Sequence, residues 1–201
     1  RSRHPRAGMG HIETSGPIGR FSFLHGLPEL SGWVPTIAIV SGPSFAGHAS
    51  LAGFSDFLIS TPGSSIGMGG PPMVEAALGQ RMSANELAGA EMHELSGGID
   101  LLVTDESAAI DAAKRYLGYW SSENSGSSAA GGGVGSDLDA LDVAQPYDMT
   151  SVIAALCDEG SLFELRPQFA RSVLTLLARV SGRSVGILAS QPLVGDGAID
   201  Q

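Results

Sequence analysis

Residues 42–48, Gly-Pro-Ser-Phe-Ala-Gly-His, have the composition of a turn that can bind an oxygen atom through its backbone. A nearly continuous apolar run, residues 34–40, ends just before them, and small residues then open a predicted helix. Such a strand-to-helix turn leaves backbone N–H groups unpaired where the helix begins. Two N–H groups that converge on a carbonyl oxygen stabilise the negative charge that develops there during a reaction. An ordinary tight turn is the alternative interpretation of the same pattern.

A second glycine-rich turn, residues 67–72, precedes another predicted helix. Its spacing differs from that of a P-loop and from that of a dinucleotide-binding fingerprint, so both nucleotide sites are rejected. The pattern Gly-x-Ser-x-Gly occurs at residues 63–67 and 182–186, but in both its serine begins a predicted strand. A serine nucleophile needs that motif at a strand-to-helix turn, so we predict no nucleophile elbow.

The remaining reactive side chains form no recognisable catalytic set. The five histidines lack metal-ligand spacing, so we predict no metal site. His48 adjoins the first turn and could act as an acid or base or simply pack, whereas His93 is expected to make a structural hydrogen bond. Asp56 and Glu75 are expected to be solvated or to cap helices. Cys157, the only cysteine, is expected to be a small core residue.

The elements that must position these residues follow an α/β pattern. Short apolar runs predict strands, and amphipathic or small-residue stretches predict helices between them. A capping box at Ser83 and Glu86 predicts a helix start, and residues 181–183 predict a tight hairpin turn. The predicted strands are 34–40, 56–60, 65–68, 99–103, 162–165, 173–180 and 184–189; the predicted helices include 47–54, 105–120 and 150–157.

Composition narrows the classes of function. The chain has 201 residues, is 43% hydrophobic and carries a formal charge of −10, with 11 Lys plus Arg. An acidic chain repels nucleic acids and acidic lipid surfaces, and no apolar run reaches the ~20 residues of a membrane span. The single cysteine and the lack of a secretory signal at residues 1–6 lead us to expect a cytoplasmic protein.

Several short motifs, in order and spacing, resemble the carboxyltransferase (beta) subunit family of biotin-dependent acyl-CoA carboxylases. The resemblance covers roughly residues 8–200, and its strength lies in the collinear order of motifs that are individually weak. The motifs are residues 42–47, 56–57, 70–74, 87–93, 96–97, 147–149, 158–164, 178–187 and 191–192.

The resemblance implies an α/β fold of the ClpP/crotonase-like type, a superhelix of β-β-α units. Residues 1–120 would be part of an N-terminal crotonase-like domain that binds acyl-CoA. Residues 121–141, rich in Ser and Gly, would be a flexible linker. Residues 142–201 would be the start of a similar C-terminal domain.

The resemblance also implies an activity, the transfer of a carboxyl group from carboxybiotin to the α-carbon of a short acyl-CoA. The backbone amides of Ala46 and Gly47 would hold the thioester oxygen, as the residues by themselves also suggest. The substrate pocket would include Phe45, His48, Gly69, Gly70 and Pro71. Phe45 and His48 are larger than the residues that many relatives carry at these positions.

Biotin would be carried on a partner protein, and the implied partners are the biotin carboxyl carrier, biotin carboxylase and further copies of this chain. The alternatives are a biotin-linked acyl-CoA decarboxylase, another crotonase-like enzyme, or a non-catalytic assembly subunit.

Overall fold

The computed structural model describes residues 23–121 and 145–198. We call these ranges the first and second segments. The predicted linker, apart from Ser121, and residues 1–22 lie outside the described residues. The helices are α1 (Phe23–Leu30), α2 (Gly47–Gly53), α3 (Pro71–Leu78), α4 (Ala84–Ala88), α5 (Ala90–Ser96), α6 (Glu106–Gly118) and α7 (Met149–Leu156). The strands are β1 (Ile37–Val40), β2 (Pro43–Phe45), β3 (Phe57–Ser60), β4 (Ser65–Gly67), β5 (Leu101–Leu102), β6 (Phe163–Leu165), β7 (Val173–Val180) and β8 (Arg183–Ser190).

A three-stranded parallel sheet, in the order β1-β3-β5, forms the centre of the first segment. Strand β3 is buried along its whole length, as its continuous apolar run predicts for a central parallel strand. Strand β1 is an edge strand, and Ile39 remains 41% exposed. A continuous apolar run such as the one ending at Val40 is typical of a strand covered on both faces, and β1 fits this pattern only in part.

Strands β2 and β4 form a separate two-stranded parallel sheet. Its register pairs Phe45 with Gly67 and Ser44 with Ile66. Because both strands run into the turns singled out in the sequence, this pairing brings the two glycine-rich turns side by side.

Local sequence signals fix several element ends. The Ser83 side chain accepts a hydrogen bond from Glu86 N at 3.2 Å, and the Glu86 carboxylate accepts one from Ser83 N at 2.8 Å. This confirms the predicted capping box. Asp105 caps α6 by accepting from Ala108 N at 2.8 Å. Helix α6, with 13 residues, is the longest described helix, and none of the described helices is long and apolar enough to cross a membrane.

The second segment consists of α7 and an antiparallel sheet in the order β6-β7-β8. Ser181 and Gly182 form the predicted tight turn between β7 and β8, with φ values of 51° and 76°. Asp158 holds this turn, since its carboxylate accepts from Ser181 N at 2.9 Å and from Gly182 N at 2.7 Å. Cys157 is 2% exposed and packs in the core of this segment, as predicted. Burial raises the pKa of its thiol.

The two segments share a hydrophobic cluster. Phe163 of β6 packs with Phe57 and Ile59 of β3 and with Tyr116 of α6. The rings of Phe57 and Tyr116 stack with centroids 4.4 Å apart, and the Phe163 ring lies 5.7 Å from that of Phe57. The β6 strand therefore completes the core that supports the parallel sheet.

Candidate functional site

Ala46 occupies the point where β2 turns into α2. Its backbone has φ 54° and ψ −121°, a conformation that costs a non-glycine residue about 1–3 kcal/mol. Its carbonyl accepts from Ser50 N at 3.0 Å, which begins the helix, and its N–H donates to Gly67 O at 3.0 Å. Of the two amides expected to hold a thioester oxygen, that of Ala46 is therefore engaged by the neighbouring strand.

Gly47 is the first residue of α2, and its N–H belongs to the donors that a helix leaves unpaired at its start. No backbone carbonyl within the two described segments accepts from it. Gly47 is also partly exposed. Its N–H is thus available to an external oxygen, in a turn that carries no side chain at that position.

The second turn offers further backbone donors. Gly69 and Gly70 lead into α3, with Pro71 at its first position, and their N–H groups find no backbone acceptor among the described residues. Gly69, Gly70 and Pro71 are all partly exposed. Proline at this position is compatible with the helix because its missing N–H would have had no partner there.

The Phe45 side chain packs across the glycines of the second turn. A Cβ at Gly67 would lie 3.0 Å from Phe45 Cε1, which is tighter than most real Cβ contacts. A Cβ at Gly70 would lie 3.6 Å from Phe45 Cγ, an ordinary contact distance. Glycine at position 67 is therefore what lets the aromatic ring sit against the backbone of the turn.

The predicted site residues lie at the ends of two paired strands. Phe45, Ala46 and Gly47 lie on the first turn, and Gly69, Gly70 and Pro71 lie on the second, across the β2–β4 pairing. His48 follows Gly47 on α2 with an exposed side chain. Exposure leaves His48 accessible, and its ring has no hydrogen bond to the described part of either turn.

The other singled-out side chains have structural roles. His93 Nε2 lies 2.7 Å from Ile66 O, so the ring donates a hydrogen bond to strand β4, as predicted. Asp56 accepts hydrogen bonds from Thr36 and Ser31, and Glu75 forms an exposed ion pair with Arg81 at 2.6 Å. In residues 23–121 and 145–198, no three His, Cys, Asp or Glu side chains are grouped so as to hold a metal ion.

Asp100 is a positioning residue that no sequence motif indicated. Asp100 is 9% exposed, accepts from Leu58 N at 2.8 Å, and forms a 2.8 Å ion pair with Arg166 Nε. It thereby ties the central strand β3 to the second segment. The signal in the sequence was a carboxylate directly after the apolar Ile99. Its partner, Arg166, lies 66 residues away, and no local pattern indicates that the two side chains pair.

Comparisons with known proteins point to one family. A model of the carboxyl transferase domain matches residues 26–201. The methylmalonyl-CoA carboxyltransferase 12S subunit of Propionibacterium freudenreichii subsp. shermanii is 34% identical over 181 residues, which cover 86% of this chain and 34% of that subunit. The propionyl-CoA carboxylase beta chain of Saccharopolyspora erythraea is 34% identical over 189 residues, covering 85% and 35% of the two chains.

Solved structures agree with the sequence matches. A crystal structure of transcarboxylase 12S, described as a hexamer assembly with hydrolysed methylmalonyl-CoA bound, superposes with a TM-score of 0.77 at 34% identity. The superposition covers 90% of this chain and 37% of that one. It confirms the predicted α/β, crotonase-like fold. The chain spans about a third of the length of the curated relatives it matches.

Proposed function

Since the chain belongs to the carboxyl transferase domain family, we propose that it is part of the carboxyltransferase component of a biotin-dependent acyl-CoA carboxylase. The reaction would move a carboxyl group from carboxybiotin to the α-carbon of a short acyl-CoA. Two relatives, a methylmalonyl-CoA carboxyltransferase subunit and a propionyl-CoA carboxylase chain, support this class of substrate.

The observation that carries the proposal is the Gly47 N–H, which opens α2 without a backbone acceptor in the described residues. A thioester carbonyl oxygen placed there would accept a hydrogen bond, and the bond would strengthen as the oxygen gains charge in the enolate. Ala46 would contribute through its backbone conformation, because its own N–H already donates a hydrogen bond to Gly67 O at 3.0 Å. The N–H groups of Gly69 and Gly70 would be further donors in the same pocket.

The pocket walls would be Phe45, His48 and Pro71. The Phe45 ring is fixed against the backbone at Gly67 and so presents a rigid apolar surface beside the amides. Such a surface excludes water, which strengthens a hydrogen bond to developing charge.

Carboxybiotin on a separate carrier protein would supply the carboxyl group when bound. In the described part of the second segment, no α-helix follows a strand, so no second turn of the Gly47 kind is present there. We therefore propose no role for these residues in the release of the carboxyl group from carboxybiotin. Biotin carboxylase, the carrier and further copies of this chain are the proposed partners.

We also propose the predicted domain division, with an acyl-CoA-binding domain in residues 1–120 and a second domain beginning at residue 142. A separate hydrophobic cluster in the second segment, built around Ile153, Cys157 and Leu176, supports the division. The packing of Phe163 against β3 and α6 would then be a contact between the two domains.

The test uses the full-length gene product with the variants Gly47→Pro and Gly47→Ala. Proline removes the proposed donor yet is favoured at the first position of a helix, whereas alanine keeps the N–H. We expect calorimetry to show tighter binding of acetyl- or propionyl-CoA than of free CoA. Carboxyl transfer should fall about 100-fold or more in Gly47→Pro, with a much smaller loss in Gly47→Ala.

Circular dichroism must show that both variants are folded. A folded full-length protein that binds no CoA species would refute the proposal and favour an assembly subunit. Unchanged transfer in folded Gly47→Pro would refute the role of this amide.

A further inference from the structure

Both tryptophans of the chain, Trp33 and Trp120, line the same surface pocket. The pocket has a volume of about 180 Å³ and lies between the chain that enters β1 and the end of α6. Trp33 is 87% exposed and Trp120 is 59% exposed. Exposed tryptophans add little to the core, and this residue is enriched where proteins bind partners or ligands.

Aromatic packing fixes one wall of the pocket. Tyr116, which is 5% exposed, stacks on Phe57 with ring centroids 4.4 Å apart. The Trp120 ring lies 6.0 Å from that of Tyr116, tilted by 55°. This arrangement is anchored in the hydrophobic cluster that the two segments share, so the wall is formed before any ligand arrives.

Among the described residues that line the pocket, Asp56 alone carries a formal charge. Its carboxylate accepts from Thr36 Oγ1 at 2.7 Å, from Thr36 N at 2.8 Å and from Ser31 Oγ at 3.0 Å. The hydrogen bond from the Thr36 side chain is the main cause that lowers the pKa of this exposed carboxyl. Asp56 is therefore ionised at neutral pH, and none of the lining residues within 23–121 and 145–198 is a cation.

We propose that Trp33, Tyr116, Trp120 and Asp56 form a binding site for an organic cation, a methylated ammonium or a guanidinium group. The faces of aromatic rings attract such cations, and the carboxylate adds a direct charge interaction. A neutral apolar ligand would satisfy the rings but leave Asp56 without a counter-charge. An anion would be repelled by Asp56 and by the chain's net charge of −10.

This site is separate from the Gly47 turn, and the inference does not depend on the proposed enzymatic function. The cation could be a free small molecule or an arginine side chain of a protein partner. Both sources share the same chemistry, and two probes separate them: choline for the first, and N-acetyl-arginine amide for the second.

Intrinsic fluorescence is the direct readout, since the chain's only tryptophans line the pocket. Each probe has a neutral counterpart of nearly the same shape, 3,3-dimethyl-1-butanol for choline and N-acetyl-citrulline amide for the arginine derivative. At constant ionic strength, we expect one cationic probe to shift the emission saturably. It should bind at least tenfold more tightly than its neutral counterpart. The probe that does so identifies the source.

Two variants locate the binding. Asp56→Asn should weaken the cation about fivefold or more, while the matched control Glu29→Gln, an exposed carboxylate outside the pocket, should leave affinity unchanged. If Asp56→Asn fails to fold, Trp33→Leu replaces an exposed ring and should weaken binding similarly, read from Trp120. Equal binding of cations and their neutral counterparts, no saturable shift by either cation, or unchanged affinity in folded Asp56→Asn or Trp33→Leu would overturn the inference.

Discussion

Replacing Ala46 with glycine should stabilise this protein, although the same change in an ordinary helix destabilises. Ala46 has φ 54° and ψ −121°, a combination that is strained for any residue with a Cβ. Removing the Cβ should recover about 1–3 kcal/mol of strain. The greater freedom of glycine in the unfolded chain offsets about 0.4–1 kcal/mol of this gain. The difference between these ranges is a net stabilisation of about 0–2.6 kcal/mol, with a central value of about 1.3 kcal/mol.

Ala76→Gly is the matched control. Ala76 is also exposed, but it lies inside helix α3 with no need for an unusual backbone conformation. Both variants lose one exposed methyl group, so the difference between them isolates the backbone. Glycine inside a helix costs roughly 0.5–1 kcal/mol relative to alanine. The two variants should therefore shift stability in opposite directions.

Urea unfolding followed by circular dichroism measures both effects, provided that the slopes of free energy against urea agree among the proteins. A midpoint above that of the unmodified chain for Ala46→Gly, and below it for Ala76→Gly, would support the strain argument. A loss of stability in Ala46→Gly as large as in Ala76→Gly would refute it.

Two further predictions concern carboxylates of the second segment. Asp158→Ala should lower stability by about 2–4 kcal/mol in urea unfolding, because the N–H groups of Ser181 and Gly182 lose their charged acceptor. Asp158→Asn keeps an acceptor oxygen and should lose less stability. Equal losses in the two variants would contradict the argument. The pKa of Glu164 is raised, first by burial and then by the nearby charge of Asp148. A raised pKa means that the folded state binds this proton more tightly, so the stabilisation is present below the unfolded pKa and is lost as pH rises through the folded pKa. Glu164→Gln should therefore gain stability relative to the unmodified chain between about pH 4 and neutral pH in thermal unfolding, and a constant difference across that range would argue against the mechanism.

Many local features were predictable because their causes lie within a few residues. The capping box at Ser83 and Glu86 and the hairpin turn at Ser181 and Gly182 are both present where the sequence places them. The run of buried residues in β3 likewise follows from its composition. In each case, side-chain type and spacing indicate the local structure. Contacts from further away can still reinforce it, as Asp158 does for the hairpin turn.

The candidate site was predicted only in outline. The sequence located the strand-to-helix turn, but it treated Ala46 and Gly47 as equivalent donors. The pairing of β2 with β4 separates them, since it commits the Ala46 N–H to Gly67 O at 3.0 Å. No local sequence feature predicts the strained backbone of Ala46, because alanine, unlike glycine, does not readily adopt positive φ.

What the sequence by itself determined was the class of fold, the family motifs and the position of the glycine-rich turns. What only the tertiary structure decided was which groups come together: Phe45 against Gly67, Asp100 with Arg166, and Trp33 and Trp120 around one pocket. Local propensity acts over a turn or two of chain, whereas these contacts join residues tens of positions apart. They exist only because burial of the shared core brings distant elements to fixed distances.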